Sequence, residues 1–225
     1  GSNPYNMTFD NNYCYVTGWV SGKIYRINLS SNRLDGEITI GGYPEGVLAL
    51  NDHLYAAQTF FNPNDFSYGQ GQMAIINKNN FTLENEINVG KNHQCIGSGP
   101  GNTLHIVCTG NYSNIQGSIY IYDITSAAVS DSILMGGQPV NLAISRDNIA
   151  YLAAGGWSGH GNVYSYNAVS HAIYHGPANP INVGIGVSAI AVDSFGFAYS
   201  CNMTSSTVSK FDSSGSIIST FQMGD

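Results

Sequence analysis

Charged residues are scarce in this chain of 225 residues: Asp, Glu, Lys and Arg together make up 9%, against roughly 25% in an ordinary soluble domain. Only 7 residues are Lys or Arg, against 14 Asp or Glu, which gives a formal net charge of −7. Nucleic acids and anionic membrane surfaces require clustered cations on the proteins that bind them. The sequence therefore predicts that this chain has no nucleic-acid partner.

Long apolar runs and helical periodicity are also missing from the sequence. No apolar stretch reaches the roughly 18 residues that a membrane-spanning helix needs, so we expect no membrane insertion. No segment sustains an apolar period of 3.6 residues, so we expect negligible helix. We interpret the leading Gly1-Ser2 as a cloning scar, which leaves any native targeting segment out of view.

Motifs for cofactors and for covalent chemistry are absent as well. The sequence has no Cys-x-x-Cys-His haem motif, no phosphate-binding P-loop and no Gly-x-Ser-x-Gly nucleophile elbow. His171 and His175 are four residues apart, but that spacing does not make a pair of metal ligands on a strand as it would on a helix. We therefore expect no cofactor and no metal ion, and we assign no catalytic residue.

A repeat dominates what the sequence does contain. Five segments end in two apolar residues separated by one position and followed by Gly, and these glycines are Gly41, Gly90, Gly136, Gly184 and Gly224. The glycines are 40 to 49 residues apart. Within each segment, two apolar stretches flank a turn rich in Asn, Asp and Gly, the residues that antiparallel hairpins favour.

A third apolar stretch in each repeat ends in an Asn or Asp residue. These five positions are Asn28, Asn77, Asp123, Asn167 and Asp212. An Asx side chain at such a position can accept hydrogen bonds from backbone N–H groups and so cap the turn that follows. Together with the stretch that ends in Gly, each repeat is predicted to form four short strands.

Repeats of this length with four strands each are typical of β-propeller blades. We predict an all-β fold in which residues 3–225 form a single β-propeller domain, with five four-stranded blades around a central channel. The repeats span about 3–42, 43–91, 92–137, 138–185 and 186–225. The chain holds a whole number of repeats, in phase at both ends. This favours a closed five-bladed ring over the alternative, a five-repeat piece of a larger ring.

The repeat resembles the YVTN-type (surface-layer-type) β-propeller repeat. Tyr15-Val16-Thr17-Gly18 nearly spells the motif, and Leu54-Tyr55-Ala56-Ala57 and Ala198-Tyr199-Ser200-Cys201-Asn202 are looser copies. The resemblance covers essentially residues 3–225 and implies a propeller fold. It implies no particular activity, because that family hosts many roles. Many of its members have seven blades, whereas this chain carries five repeats.

Aromatic residues collect in the loops between the second and third strands, which a propeller gathers on one face. Aromatic planes beside polar side chains suit sugar rings, and such side chains are costly to leave in water. The alternative is that the long loop over residues 59–72 packs on itself as a lid. The predicted ligand-binding residues are Trp19, Phe61, Asn64, Tyr68, Tyr112, Trp157 and His160.

These residues lead us to expect an extracellular or cell-surface recognition module that binds a glycan or a partner protein on the loop-rich face. The alternatives are a propeller hydrolase or lyase, and a structural surface-layer repeat domain without a small ligand. A glycosidase needs two or three converging carboxylates, and we expect only Glu45 and Asp65 on the loop face. Cys95 and Cys108 flank one hairpin turn and could form a disulfide, or remain small buried thiols.

Overall fold

A computed structural model of the chain describes residues 1–155 and 161–224. Within these two ranges the chain forms 23 β-strands and no helix, which confirms the expectation of an all-β protein. Accordingly, no helix in the described part of the chain is long and apolar enough to cross a membrane.

Two four-stranded antiparallel sheets and a small hairpin lie in the first part of the chain. The strands of the first sheet, in spatial order, are β1 (Pro4–Phe9), β2 (Tyr13–Gly18), β3 (Lys23–Asn28) and β4 (Arg33–Thr39). The second sheet contains β5 (Pro44–Leu50), β6 (His53–Gln58), β9 (Gln72–Asn77) and β10 (Thr82–Asn88), in the order β10-β9-β6-β5. Strands β7 (Phe61–Asn62) and β8 (Ser67–Tyr68) pair only with each other, and this hairpin is inserted between β6 and β9.

Three further antiparallel sheets follow in chain order. The third contains β11 (His93–Gly99), β12 (Thr103–Cys108), β13 (Ser118–Asp123) and β14 (Ala128–Leu134), in that order. The fourth contains β15 (Asn141–Ile144), β16 (Ile149–Ala153), β17 (Asn162–Asn167) and β18 (Ile173–His175), with β19 (Ile181–Asn182) also paired to β17. The fifth contains β20 (Val187–Val192), β21 (Ala198–Asn202), β22 (Thr207–Phe211) and β23 (Ile217–Gln222).

The outer strand of the fourth sheet is divided in two, which the repeat pattern did not predict. Strand β18 pairs with β17 at His175, and β19 pairs with the other end of β17 at Asn182. Between them lie Pro177 and Pro180. Proline has no backbone N–H to donate to a neighbouring strand, so it interrupts the pairing.

The five sheets share an irregularity at the same place. In each, the pairing of the third strand with the fourth shifts register, as a β-bulge does. The shifts fall at Arg26/Ile27, Leu83/Asn85, Ile121/Tyr122, Ser165/Tyr166 and Lys210/Phe211. A bulge repeated in every sheet supports the interpretation of the sequence as a structural repeat.

The predicted Asx caps are confirmed. Oδ1 of Asp123 accepts hydrogen bonds from the backbone N–H groups of Thr125 (2.7 Å) and Ser126 (3.0 Å). Equivalent hydrogen bonds, each donated by a backbone N–H group two to four residues further along the chain, are accepted by Asn28, Asn77, Asn167 and Asp212. The turn between the third and fourth strands is therefore closed by the same device in every repeat.

The chain divides into two compact units, residues 1–96 and 97–225, and the division falls within β11. The core of the first unit includes the fully buried Tyr15, Ile24, Leu54 and Ile76. The core of the second unit includes Tyr151, Val163, Ile181 and Phe211. Most of these side chains come from the second and third strands of their sheets, as the apolar pattern indicates. That residues 3–225 form a single domain stays a prediction.

Candidate functional site

The long loop of the second repeat folds into the hairpin β7–β8, in which Phe61 pairs with Tyr68. Its turn is held by its own side chains: Asp65 Oδ1 accepts from the backbone N–H of Ser67 (2.9 Å), and Asn62 Oδ1 accepts from that of Asn64 (3.1 Å). The hairpin pairs two aromatic residues at its base, and its tip carries the polar Asn64 and Asp65 next to the exposed ring of Phe66.

Five aromatic side chains from three segments of the first unit contact one another, and we call them the aromatic cluster. Its members are Trp19, Tyr43, Phe61, Phe66 and Tyr68. Ring centroids are 5.0 Å apart for Trp19 and Tyr43, 5.4 Å for Trp19 and Phe61, and 5.3 Å for Phe61 and Tyr68. The rings are tilted or edge-on to one another, as aromatic quadrupoles favour. Phe61 contacts the other four members and is the centre of the cluster.

The structure brings together three of the predicted ligand-binding residues, Trp19, Phe61 and Tyr68, all partly buried. Asn64 is exposed at the hairpin tip, where its Nδ2 donates to Asn62 Oδ1 (3.2 Å). Tyr112 lies in the second unit, in the loop between β12 and β13, and is 38% exposed. The other two predicted residues, Trp157 and His160, lie outside the described residues.

Tyr43 was not predicted from the sequence as a site residue. It lies between β4 and β5, directly after Gly41-Gly42, and its φ of 53° is in the left-handed region that bulky residues rarely adopt. The hairpin residue Phe66 also has a positive φ, 59°, and its side chain is 76% exposed. The sequence offered one signal for Tyr43: it is an aromatic residue in the link between two repeats, directly before Pro44.

Glu45 is a carboxyl group that contacts the aromatic cluster through Trp19. It is the second residue of β5 and is only 5% exposed, and its expected place on the loop face stays a prediction. The indole Nε1–H of Trp19 donates to Glu45 Oε1 at 3.2 Å. Burial raises the pKa of the carboxyl group to about 7, while hydrogen bonds from Tyr5 and Trp19 oppose the rise.

The backbone of Glu45 is also fixed, because Thr17 Oγ1 donates to its carbonyl oxygen at 2.7 Å. The site thus combines an apolar aromatic surface, one ring of which is largely in water, with a buried carboxyl group hydrogen-bonded to the indole of Trp19. Such a surface can stack on a flat or methyl-rich ligand and polarise it.

Metal-binding clusters and cysteines are the other candidate sites in the described part of the chain. Within residues 1–155 and 161–224, no group of three or more His, Cys, Asp or Glu side chains could hold a metal ion. Cys95 is partly buried on β11 and Cys108 is buried on β12. The disulfide between them stays a prediction.

Comparison with known proteins identifies the fold. No protein-family model matches the chain, and no curated protein sequence matches it. Among solved structures, a functionally unknown protein from Desulfotomaculum acetoxidans is similar, with a TM-score of 0.77 and 13% identity, over 100% of this chain and 71% of that one.

The WD40 domain of Pan2 from Neurospora crassa is also similar, with a TM-score of 0.68 and 11% identity. This likeness covers 93% of the chain but only 61% of the Pan2 domain structure. At these identities a structural likeness defines the fold alone. The chain is therefore an all-β protein with a β-propeller type of repeat.

Proposed function

We propose that this chain is an extracellular or cell-surface recognition module, which binds a glycan or a partner protein through the aromatic cluster. The five sheets act as five blades of a closed propeller of the YVTN type. The recurring Asx caps, the recurring register shift and the Tyr-Val-Thr-like second strands support that assignment.

The observation that carries the proposal is the exposure of Phe66. This ring is 76% exposed although it contacts Phe61 at 6.0 Å, so the cluster is not closed over on the solvent side. Apolar aromatic surface left in water on an ordered hairpin is typical of a binding surface. The other four rings, which are partly buried, give that surface a rigid base.

The geometry suits a ligand that presents a flat apolar face. The rings offer C–H and stacking contacts, and the exposed tip residues Asn64 and Asp65 offer polar groups beside them. Sugar rings have this combination of an apolar face and hydroxyl edges, and so do protein surfaces with an exposed aliphatic side chain.

A glycan array and a crosslinking capture from cell-surface material test the proposal with three proteins: wild type, Phe66→Ala and Leu34→Ala. Leu34 is a matched control because it is 58% exposed on β4 and is not a member of the cluster. We expect a defined set of ligands for wild type and Leu34→Ala, reduced at least about tenfold in Phe66→Ala. An array and a capture that are both silent with folded wild-type protein would overturn the proposal.

A further inference from the structure

Glu45 holds a carboxyl group that is largely buried, at 5% exposed, and is hydrogen-bonded to the cluster through Trp19. Its Oε1 accepts from Trp19 Nε1 (3.2 Å), and its backbone carbonyl is held by Thr17. The other oxygen, Oε2, is buried and has no hydrogen-bond partner among the described residues. A buried polar atom without a partner is rare and calls for a structural or ligand-binding explanation.

The negative charge that Glu45 acquires on ionisation has no counter-charge in the described residues. Only burial and the hydrogen bonds of Tyr5 and Trp19 shift the pKa of its carboxyl group; no cation contributes. Four of the five basic side chains of the first unit have other partners: Lys23 pairs with Glu37, Arg26 with Asp35 and Lys78 with Asp10. Lys91 lies at the edge of the cluster, where its Nζ donates to the backbone carbonyl oxygen of Tyr68 at 2.7 Å and not to Glu45. A buried charge without a partner is costly, so a cation that binds nearby is favoured.

The aromatic cluster, whose Trp19 donates to Glu45, attracts the same kind of ligand. The face of an aromatic ring carries negative potential, and indole binds cations best among the side chains. Trp19 donates its N–H to the carboxyl group, so an ionised Glu45 polarises the indole toward a more negative face. The net charge of −7 also favours the approach of cations over anions.

We propose that the aromatic cluster receives an organic ammonium group, with the buried carboxylate of Glu45 as its counter-charge. The inference rests on the proposed function and names the chemistry of the group that is bound. The ammonium group can belong to a lysine side chain of a partner protein or to a choline-type substituent of a glycan or lipid. A neutral sugar would gain stacking from the rings but nothing from the carboxylate.

Titration of the wild-type chain with small probes tests this, with the indole N–H signal of Trp19 followed by nuclear magnetic resonance. Choline is compared with dimethylbutanol, its uncharged isostere, and butylammonium represents a lysine side chain. We expect choline or butylammonium to shift the Trp19 signal and dimethylbutanol to bind at least about tenfold more weakly. The stronger of the two ammonium probes indicates the source of the group.

The role of Glu45 is tested by repeating the titrations between about pH 5.5 and about pH 8.5. We expect the affinity for ammonium probes to rise severalfold as Glu45 ionises, and this rise to vanish in Glu45→Gln. Tyr5 and Trp19 are the side chains that act on the carboxyl group. Equal binding of choline and dimethylbutanol, or a pH dependence that persists in Glu45→Gln, would overturn the inference.

A second variant keeps the test decisive should Glu45→Gln fold poorly. Phe66→Leu leaves an apolar side chain at the exposed position but removes the ring. We expect its affinity for choline to fall severalfold while that for dimethylbutanol is unchanged. If the glycan array or the capture yields ligands but no ammonium probe binds, the inference fails and the proposed function stands. If ammonium probes bind but array and capture are silent, the proposed function fails.

Discussion

The hydroxyl of Tyr15 donates to Oδ2 of Asp10 at 3.0 Å, and this bond joins the second strand of the first sheet to the turn that precedes it. The same relationship recurs in the fifth sheet, where Tyr199 donates to Oδ2 of Asp193 at 2.9 Å. In both sheets the carboxylate also accepts backbone N–H bonds within its turn. In these two repeats, the tyrosine of the second strand thus stabilises the turn of the first hairpin.

Replacing Tyr15 should therefore lower the stability of the chain. Burial alone would raise the pKa of Asp10, but hydrogen bonds from Asn12, Tyr13 and Tyr15 bring it below its usual value. Tyr15→Phe removes a hydrogen bond to a charged group, and we expect it to cost about 1.5 kcal/mol of unfolding free energy. Urea unfolding followed by circular dichroism measures the loss.

The control for this prediction is Tyr25→Phe, on the neighbouring strand of the same sheet. The hydroxyl of Tyr25 makes no hydrogen bond among the described residues, so we expect a change within about 0.5 kcal/mol. A loss in Tyr25→Phe as large as that in Tyr15→Phe would show that the hydrogen bond is not the cause.

The Asx caps give a second prediction. Asp123→Ala removes the acceptor for two backbone N–H groups of one turn, and we expect a loss of about 1 kcal/mol. Ser126→Ala is a matched control in the same turn, because only the backbone N–H of Ser126 takes part. Thermal unfolding compares the two variants, and equal midpoints would contradict a capping role for Asp123.

Glu45 predicts a pH dependence of stability with a definite sign. Its folded-state pKa of about 7 is above the ordinary value of 4.5, so the folded chain binds more protons than the unfolded chain between these two values. The contribution of Glu45 to the free energy of unfolding is therefore complete below about pH 4.5 and is lost as the pH rises from there through about 7. The full difference is about 3 kcal/mol.

Glu45→Gln removes this titration but keeps an acceptor for Trp19. We expect the stability of the variant relative to wild type to increase between about pH 4.5 and about pH 7 and then to level off. Urea unfolding at a series of pH values measures it. A constant difference between variant and wild type over that range would refute the assignment of the buried carboxyl group.

His105 predicts the opposite dependence. It occupies the position of Tyr15 in its own repeat, is fully buried, and its Nδ1 is 2.7 Å from the hydroxyl of Tyr166. Burial, together with repulsion from His171, lowers the pKa of the imidazole from 6.5 to about 4. The unfolded chain therefore binds more protons between these values, and stability falls as the pH drops from about 6.5 to about 4.

His105→Asn replaces the imidazole with an amide, which does not titrate but can still form a hydrogen bond with the hydroxyl of Tyr166. We expect the acid-side loss of stability to shrink by up to about 3 kcal/mol. Part of the loss remains, because burial also lowers the pKa of His93 to about 4. Tyr166→Phe is the control that lowers stability without removing the titration, and an unchanged acid slope in His105→Asn would contradict the prediction.

Much of the fold could be predicted from the sequence because it is repeated. Each strand signal is short and weak, but an Asx residue such as Asn77 or Asp212 recurs at the end of the third strand in every copy. The division of the outer strand around Pro177 and Pro180 was missed, although proline's lack of an N–H group explains it.

The candidate site could be predicted only in part. Trp19, Phe61 and Tyr68 were identified because their loops depart from the strand pattern, and the structure brings them together. The role of Glu45 was missed, because it rests on a hydrogen bond from the indole of Trp19, which lies 26 residues away along the chain. Contacts between distant segments leave no periodic signal in a single sequence.

The Asx caps have a practical consequence for engineering. Each of these turns is held by hydrogen bonds from a side chain of the turn itself, as Asn28 does for Ser30 and Ser31. A spectroscopic label or epitope tag grafted just beyond the capped residues would therefore leave the hydrogen bonds of its turn in place. Five equivalent attachment positions become available, one for each sheet, for measuring distances across the assembled molecule.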